Sequence, residues 1–129
     1  MERQQYLIDT NAVIEYLGQQ LPASGMEFMN EVINAVPTIS VVTKIEVLGF
    51  NAPDNHYKLL TDFMDDATVL DLSNKVVDAT IQIRKTHKTK LPDAVIAATA
   101  LVYDLILITH NISDFKKIEG LKVIDPYNA

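Results

Sequence analysis

The chain has 129 residues, 48% hydrophobic and 22% charged, with a formal charge of −6 and no cysteine. That is enough for one domain with its own core, and the absence of thiols excludes disulfides and thiolate metal sites, as a reducing cytoplasm favours. The acidity argues against a general nucleic-acid coat, while an acidic metal pocket is compatible with it.

Residues 1–5 lack the apolar core of a secretory leader, and no apolar run reaches the ~20 residues of a membrane helix, so a cytoplasmic protein is expected. Tyr6, Leu7 and Ile8 then read as a short strand that ends on a charge, Asp9, followed by Thr10 and Asn11. A strand entering a core has no structural use for a terminal carboxylate. A strand opening onto a site has one, because parallel sheets bind ligands beyond their carboxyl ends. Helical spacing of Val13, Ile14 and Leu17 stops at Gly18.

After Pro22, Ser24 is expected to cap a helix carrying Met26, Phe28, Met29, Val32, Ile33 and Val36, which Pro37 ends. This apolar set reads as core or a partner-binding face rather than a cofactor pocket. Residues 38–41 are β-rich and pass into a helix through Thr43, Ile45, Glu46, Val47 and Leu48, closed by Gly49. Residues 51–55 read as a loop, 57–64 as a helix and 67–72 as a strand. Ser73 caps a helix with Val76, Val77, Ala79, Ile81 and Ile83 inward, which gives out in the basic stretch 84–90.

Pro92 suits the first turn of a helix whose small and apolar residues, through position 102, call for burial; Tyr103 reads as packing. Residues 105–108 form the continuous apolar run of a strand covered on both faces. Ser113 is expected to cap a short helix from Asp114, and residues 122–124 to form the last strand. Strands alternate with helices throughout. The expected fold is a single α/β domain over residues 1–129, with a mostly parallel sheet and helices on both faces.

Asp9, Glu46, Asp93 and Asp114 share a position in that fold: each stands at a strand-to-helix junction. Singly, the three aspartates have ordinary readings as caps or first-turn acids. Glu46, between Ile45 and Val47, has the weakest such reading, because a partly buried glutamate is costly unless paired or bound to a metal. Together the four are directed to one edge of the sheet, where they repel and raise one another's pKa unless a cation neutralises them. Oxygen ligands alone select a hard ion, Mg²⁺ or Mn²⁺, and such an ion offsets the transition-state charge of phosphoryl chemistry.

Arg84, Lys85, Lys88 and Lys90 precede Asp93 and make up four of the eleven basic residues. They read either as a solvated helix end or as a rim that holds phosphates. Thr10, Asn11, Thr43, Thr109 and Asn111 are suited to orienting carboxylates or phosphate; turn and cap chemistry is their other reading. His110 reads as a surface residue.

Leu7-Ile8-Asp9-Thr10-Asn11, Thr43-Lys44-Ile45-Glu46-Val47, Leu91-Pro92-Asp93-Ala94-Val95-Ile96-Ala97-Ala98 and Thr109-His110-Asn111-Ile112-Ser113-Asp114-Phe115 resemble, in order, the four signature blocks of PIN-domain ribonucleases. The resemblance is greatest to VapC-like toxins of toxin–antitoxin pairs and spans nearly the whole chain. It implies a PIN-like three-layer sandwich with a five-stranded parallel sheet. It also implies Asp9, Glu46, Asp93 and Asp114 as Mg²⁺ or Mn²⁺ ligands, with Thr109 and Asn111 as polar support. Some members carry an acid where Asn111 stands, so Asp114 acts on the ion either directly or through water.

The resemblance further implies an endoribonuclease leaving 5′-phosphates, a homodimer, and a small antitoxin partner that covers the cleft. Two rival readings are an inactive PIN-fold binding module and another Mg²⁺-dependent acid-pocket domain, of receiver or phosphatase type. The phosphatase pattern wants a second aspartate where Asn11 stands, and the receiver pattern wants paired acids at the first strand.

Overall fold

The computed structural model describes residues 5–49 and 51–129. Positions 1–4, part of the stretch expected to lack a leader, and Phe50 lie outside the described residues. The elements run β1 (Tyr6–Ile8), α1 (Thr10–Leu17), α2 (Ala23–Asn34), β2 (Thr38–Ser40), α3 (Val41–Leu48), α4 (Asp54–Asp66), β3 (Thr68–Leu70), α5 (Asn74–Thr86), α6 (Leu91–Val102), β4 (Ile106–Ile108), α7 (Ile112–Phe115) and β5 (Val123–Ile124). None of these helices is long and apolar enough to cross a membrane.

Every ladder is parallel. β4 lies between β1 and β5, and β2 pairs with β3. β1 runs beside β2, but among the described residues no ladder joins them. The strands therefore form a sheet of three and a sheet of two, not the one five-stranded sheet expected. With two or three residues per strand, each edge offers so few donors and acceptors that a small divergence ends the pairing.

Side chains alternate across the strands as the pleat requires. Leu7, Leu107 and Val123 join one core, with Val76 and Ile83 of α5, the alanine-rich face of α6, and Phe115 of α7. Ile8, Ile108 and Ile124 join the other, with Val13 of α1, Met29 of α2, Val47 of α3, and Leu60 and Phe63 of α4. Helices thus cover both faces, as the sequence predicts.

Several local expectations fail, each for a visible reason. Pro22, not Ser24, stands at the α2 N-cap, and Ser24 is exposed in the first turn. Val36 has left the helix: Ala35 is the C-cap, and Val36 takes a left-handed φ of 71° with its side chain exposed. Residues 54–55 belong to α4, which Pro53 starts. Ile81 is 45% exposed; Thr80 takes the inward place, tolerated because its hydroxyl donates to Val76 O at 2.7 Å. Tyr103 is the α6 C-cap and 43% exposed rather than packed. Asn111, not Ser113, occupies the α7 N-cap.

Gly25 shows how tightly α2 is seated. A Cβ there would lie 2.2 Å from the Pro126 carbonyl oxygen, which is backbone and cannot swing aside. Gly25→Ala is therefore expected to cost about 2 kcal/mol through overpacking. Urea melts of the two proteins check it, and an equally stable variant would show that the terminal segment does not press on α2.

Candidate functional site

Each parallel strand delivers its carboxyl end to the same edge, and the helices that follow begin there. Asp9 directly follows β1 and is the N-cap of α1. The residue is only 5% exposed. Oδ1 accepts from the Thr10 backbone N–H at 2.8 Å, and Oδ2 accepts from the Thr109 hydroxyl at 2.8 Å. Thr109 follows β4, is fully buried, and accepts in turn from the Asn111 backbone N–H at 3.0 Å. The relay fixes both oxygens of Asp9.

On the other side, the Thr10 hydroxyl donates to Glu46 Oε1 at 2.7 Å and lies 3.0 Å from Thr43 Oγ1. Ser40 starts α3 by accepting from Val42 N–H at 3.1 Å, which sets Thr43 inward and Glu46 outward within one turn. Asp93 sits in the first turn of α6, and Asp114 in α7, where Asn111 Nδ2 donates to its Oδ2 at 2.6 Å. The amide at Asn111 thus holds an acid rather than replacing one.

Electrostatics tie the four together. Burial pushes the Asp9 carboxyl up to about 6; hydrogen bonds from Thr109 and Thr10 pull it back, and the Asp93 and Glu46 charges push it further up. Burial also raises Asp93, with Asp114 and Glu46 adding to the rise and Lys90 and Lys117 opposing it. Asp93 is the hub through which Asp114 is joined to the others. Among the described residues, however, no three acids or histidines stand as a ready cation cluster. Glu46 and Asp114 each spend an oxygen on a neighbour, Thr10 or Asn111.

The donor set fits a hard divalent cation: carboxylate oxygens that raise one another's pKa are what such an ion relieves. Asp9 and Asp93 would hold it, with Glu46 and Asp114 completing the shell.

The basic stretch divides. Lys90 is the α6 N-cap, near enough to Asp93 to lower its pKa. Arg84 is used structurally, Nη1 donating to Thr89 O at 2.9 Å. The side chains of Lys85 and Lys88 are exposed, and no described contact ties them to the carboxylates. Sequence reading missed Lys117, whose Nζ donates to Lys88 O at 2.9 Å and whose charge reaches Asp93. Its three-residue spacing from Asp114 was the available signal. His110 is exposed as expected, but it is held: Nδ1 lies 3.0 and 3.1 Å from the two oxygens of Asp125, and its ring lies against that of Tyr127 at a tilt of 35°.

The fold and site together define an α/β protein with an acidic cleft beyond the carboxyl ends of its parallel strands. The PIN-domain profile matches residues 6–121. The chain belongs to the PIN-domain family, whose members are in general nucleases. The structure of DNA-bound VapBC from Salmonella typhimurium superimposes with a TM-score of 0.83 at 22% identity, over 96% of this chain and 99% of that one. A toxin–antitoxin complex from Klebsiella pneumoniae gives 0.75 at 28% identity, over 95% and 98%. FitAcB from Neisseria gonorrhoeae gives 0.75 at 22%, over 97% and 100%. No curated protein sequence matches the chain.

Proposed function

We propose that the chain is a Mg²⁺- or Mn²⁺-dependent endoribonuclease and the toxin of a toxin–antitoxin pair. It works in the cytoplasm as a single PIN domain over residues 1–129, as a homodimer, with a small antitoxin as partner. The observation that carries this reading is Asp9: a buried carboxylate whose own neighbours, Asp93 and Glu46, oppose its ionisation, an arrangement that a bound cation turns from a cost into a site. When bound, the ion supplies charge stabilisation for phosphoryl transfer.

The residues of the chain do the rest. Asp9, Glu46, Asp93 and Asp114 form the ligand set. Thr109 and Thr10 hold two of those acids in orientation, and Asn111 holds a third. Lys90 places a cation beside Asp93 for the phosphates of the strand, with Lys85 and Lys88 along the approach and Arg84 fixing the loop that carries them. Water adds to phosphorus in line, the P–O3′ bond breaks, and the fragments end in a 5′-phosphate and a 3′-hydroxyl.

Membership of the PIN family sets aside the receiver and phosphatase readings. An inactive PIN-fold binding module draws support from the lack of a ready three-acid cluster among the described residues. Cleavage mapping on total RNA with Mn²⁺ separates the two. The wild type is expected to cut and Asp93→Asn to leave the RNA intact. Undiminished cutting by carefully purified Asp93→Asn sinks the nuclease reading.

A further inference from the structure

Beside the acid cleft lies a cavity of about 410 Å³ lined by Asn11, Ile14, Glu15, His110 and Asn111. Asn11, Ile14 and Glu15 are spaced i, i+3 and i+4, so they share one face of α1. Asn111 closes the side nearest Asp114. The cavity therefore starts where the carboxylates end and runs along α1.

Two of its walls are built with unusual care. His110 stands at the rim with its side chain half exposed, while Asp125 grips Nδ1 and the Tyr127 ring lies against it at a centroid distance of 3.9 Å and a tilt of 35°. Tyr127 is itself fixed, its backbone N–H donating to Asp125 Oδ1 at 2.9 Å and its hydroxyl donating to Glu15 Oε2 at 2.8 Å. The other Glu15 oxygen, Oε1, is buried and has no hydrogen-bond partner among the described residues. A carboxylate oxygen left in that state is costly. Glu15 lines the cavity, so its carboxylate has acceptor capacity left for a donor that enters there.

We propose that this cavity is a base-reading subsite that takes one unpaired guanine next to the scissile phosphate. It rests on the nuclease reading above and extends it to specificity. An unpaired base needs a flat platform, which the held ring of His110 provides. Its edge then meets Glu15 and the amides of Asn11 and Asn111. Guanine is the base whose pairing edge places two N–H donors, N1 and N2, side by side for a carboxylate, with O6 next to them for an amide donor. Adenine and cytosine set an acceptor beside their amino group, where it meets the carboxylate unfavourably, and uracil offers a single donor. Single-stranded RNA is read through such edges once its bases are splayed out.

The test has two arms. In the first, wild type and Glu15→Gln cut an RNA library randomised over a single-stranded segment, and the readout is the base at each position around the cut. Glutamine keeps an acceptor for Tyr127 but removes the second acceptor that guanine needs. The wild type is expected to enrich guanine at one fixed position, and the variant to lose about tenfold of that enrichment there and nowhere else. A flat wild-type profile, or the same profile in both proteins, overturns the proposal.

In the second arm, Asp93→Asn binds short unpaired oligoribonucleotides containing one guanine or one adenine, followed by isothermal titration. About tenfold preference for guanine, abolished by adding Glu15→Gln, supports the subsite; equal affinity overturns it. His110→Ala is expected to weaken both oligonucleotides alike, and a loss confined to guanine contradicts its role as platform. Because this arm needs no cleavage, it separates failure of the subsite from failure of the nuclease reading.

Discussion

Asp9→Asn is expected to lower RNA cleavage by at least ~10³-fold, the scale set by losing several kcal/mol of cation-derived stabilisation, and at the same time to make the metal-free protein more stable. The two effects have one cause. Asp9 is buried next to Asp93 and Glu46, and its carboxyl titrates at about 6 instead of 3.8. Holding it ionised above pH 6 therefore costs on the order of 3 kcal/mol. Asparagine has the same shape: its Oδ1 still accepts from Thr10 N–H, and its amide faces the Thr109 hydroxyl, which has a lone pair to spare. Urea melts at pH 7.5 in chelator, paired with a cleavage assay, measure both quantities. A variant that cuts normally, or one that is inactive because it has lost stability, contradicts this account of the site.

The second large effect is a stability exchange between protons and the cation. An acid whose pKa is raised by folding binds its proton more tightly in the folded state. The stability it contributes is complete below pH 3.8, and is lost as pH rises through about 6. In chelator, the wild type should thus lose stability relative to Asp9→Asn across that window. Mn²⁺ at a hundred times its Kd should restore about 2.7 kcal/mol at pH 7.5, on the order of 10 °C in Tm for a chain of this size. The same addition should do little at pH 4, where protons hold the site. Melting curves on a grid of pH and Mn²⁺ decide it. An equal Mn²⁺ shift in the wild type and in Asp9→Asn places the ion elsewhere on the protein.

Under the proposed function, the basic rim would bear on substrate rather than on stability. Lys90 and Lys117 both oppose the rise in Asp93, although they come from segments 27 residues apart in the chain. The side chains of Lys85 and Lys88 are exposed. Phosphates held by these lysines would keep the strand in register while the acids act on one linkage.

What could be read without coordinates was whatever is written locally. Apolar alternation and punctuation by Gly18, Pro37, Gly49 and Pro92 placed the strands and helices to within a few residues, because those signals act over one turn or one pleat. Asp9 stood out in the same way, as a charge at the end of an apolar run, and Glu46, Asp93 and Asp114 were picked out by their places at strand-to-helix junctions. The sheet's division into three strands and two, the outward turn of Ile81 and the release of Val36 were not legible, since each depends on how neighbouring elements pack rather than on its own segment. The same holds around the site. Thr109 reaches Asp9 across 100 residues and Tyr127 reaches Glu15 across 112, so no window on the sequence contains either pair. Local chemistry chose the residues; only the packing of distant segments decided which acid is buried, which is held by an amide, and what lies beside them.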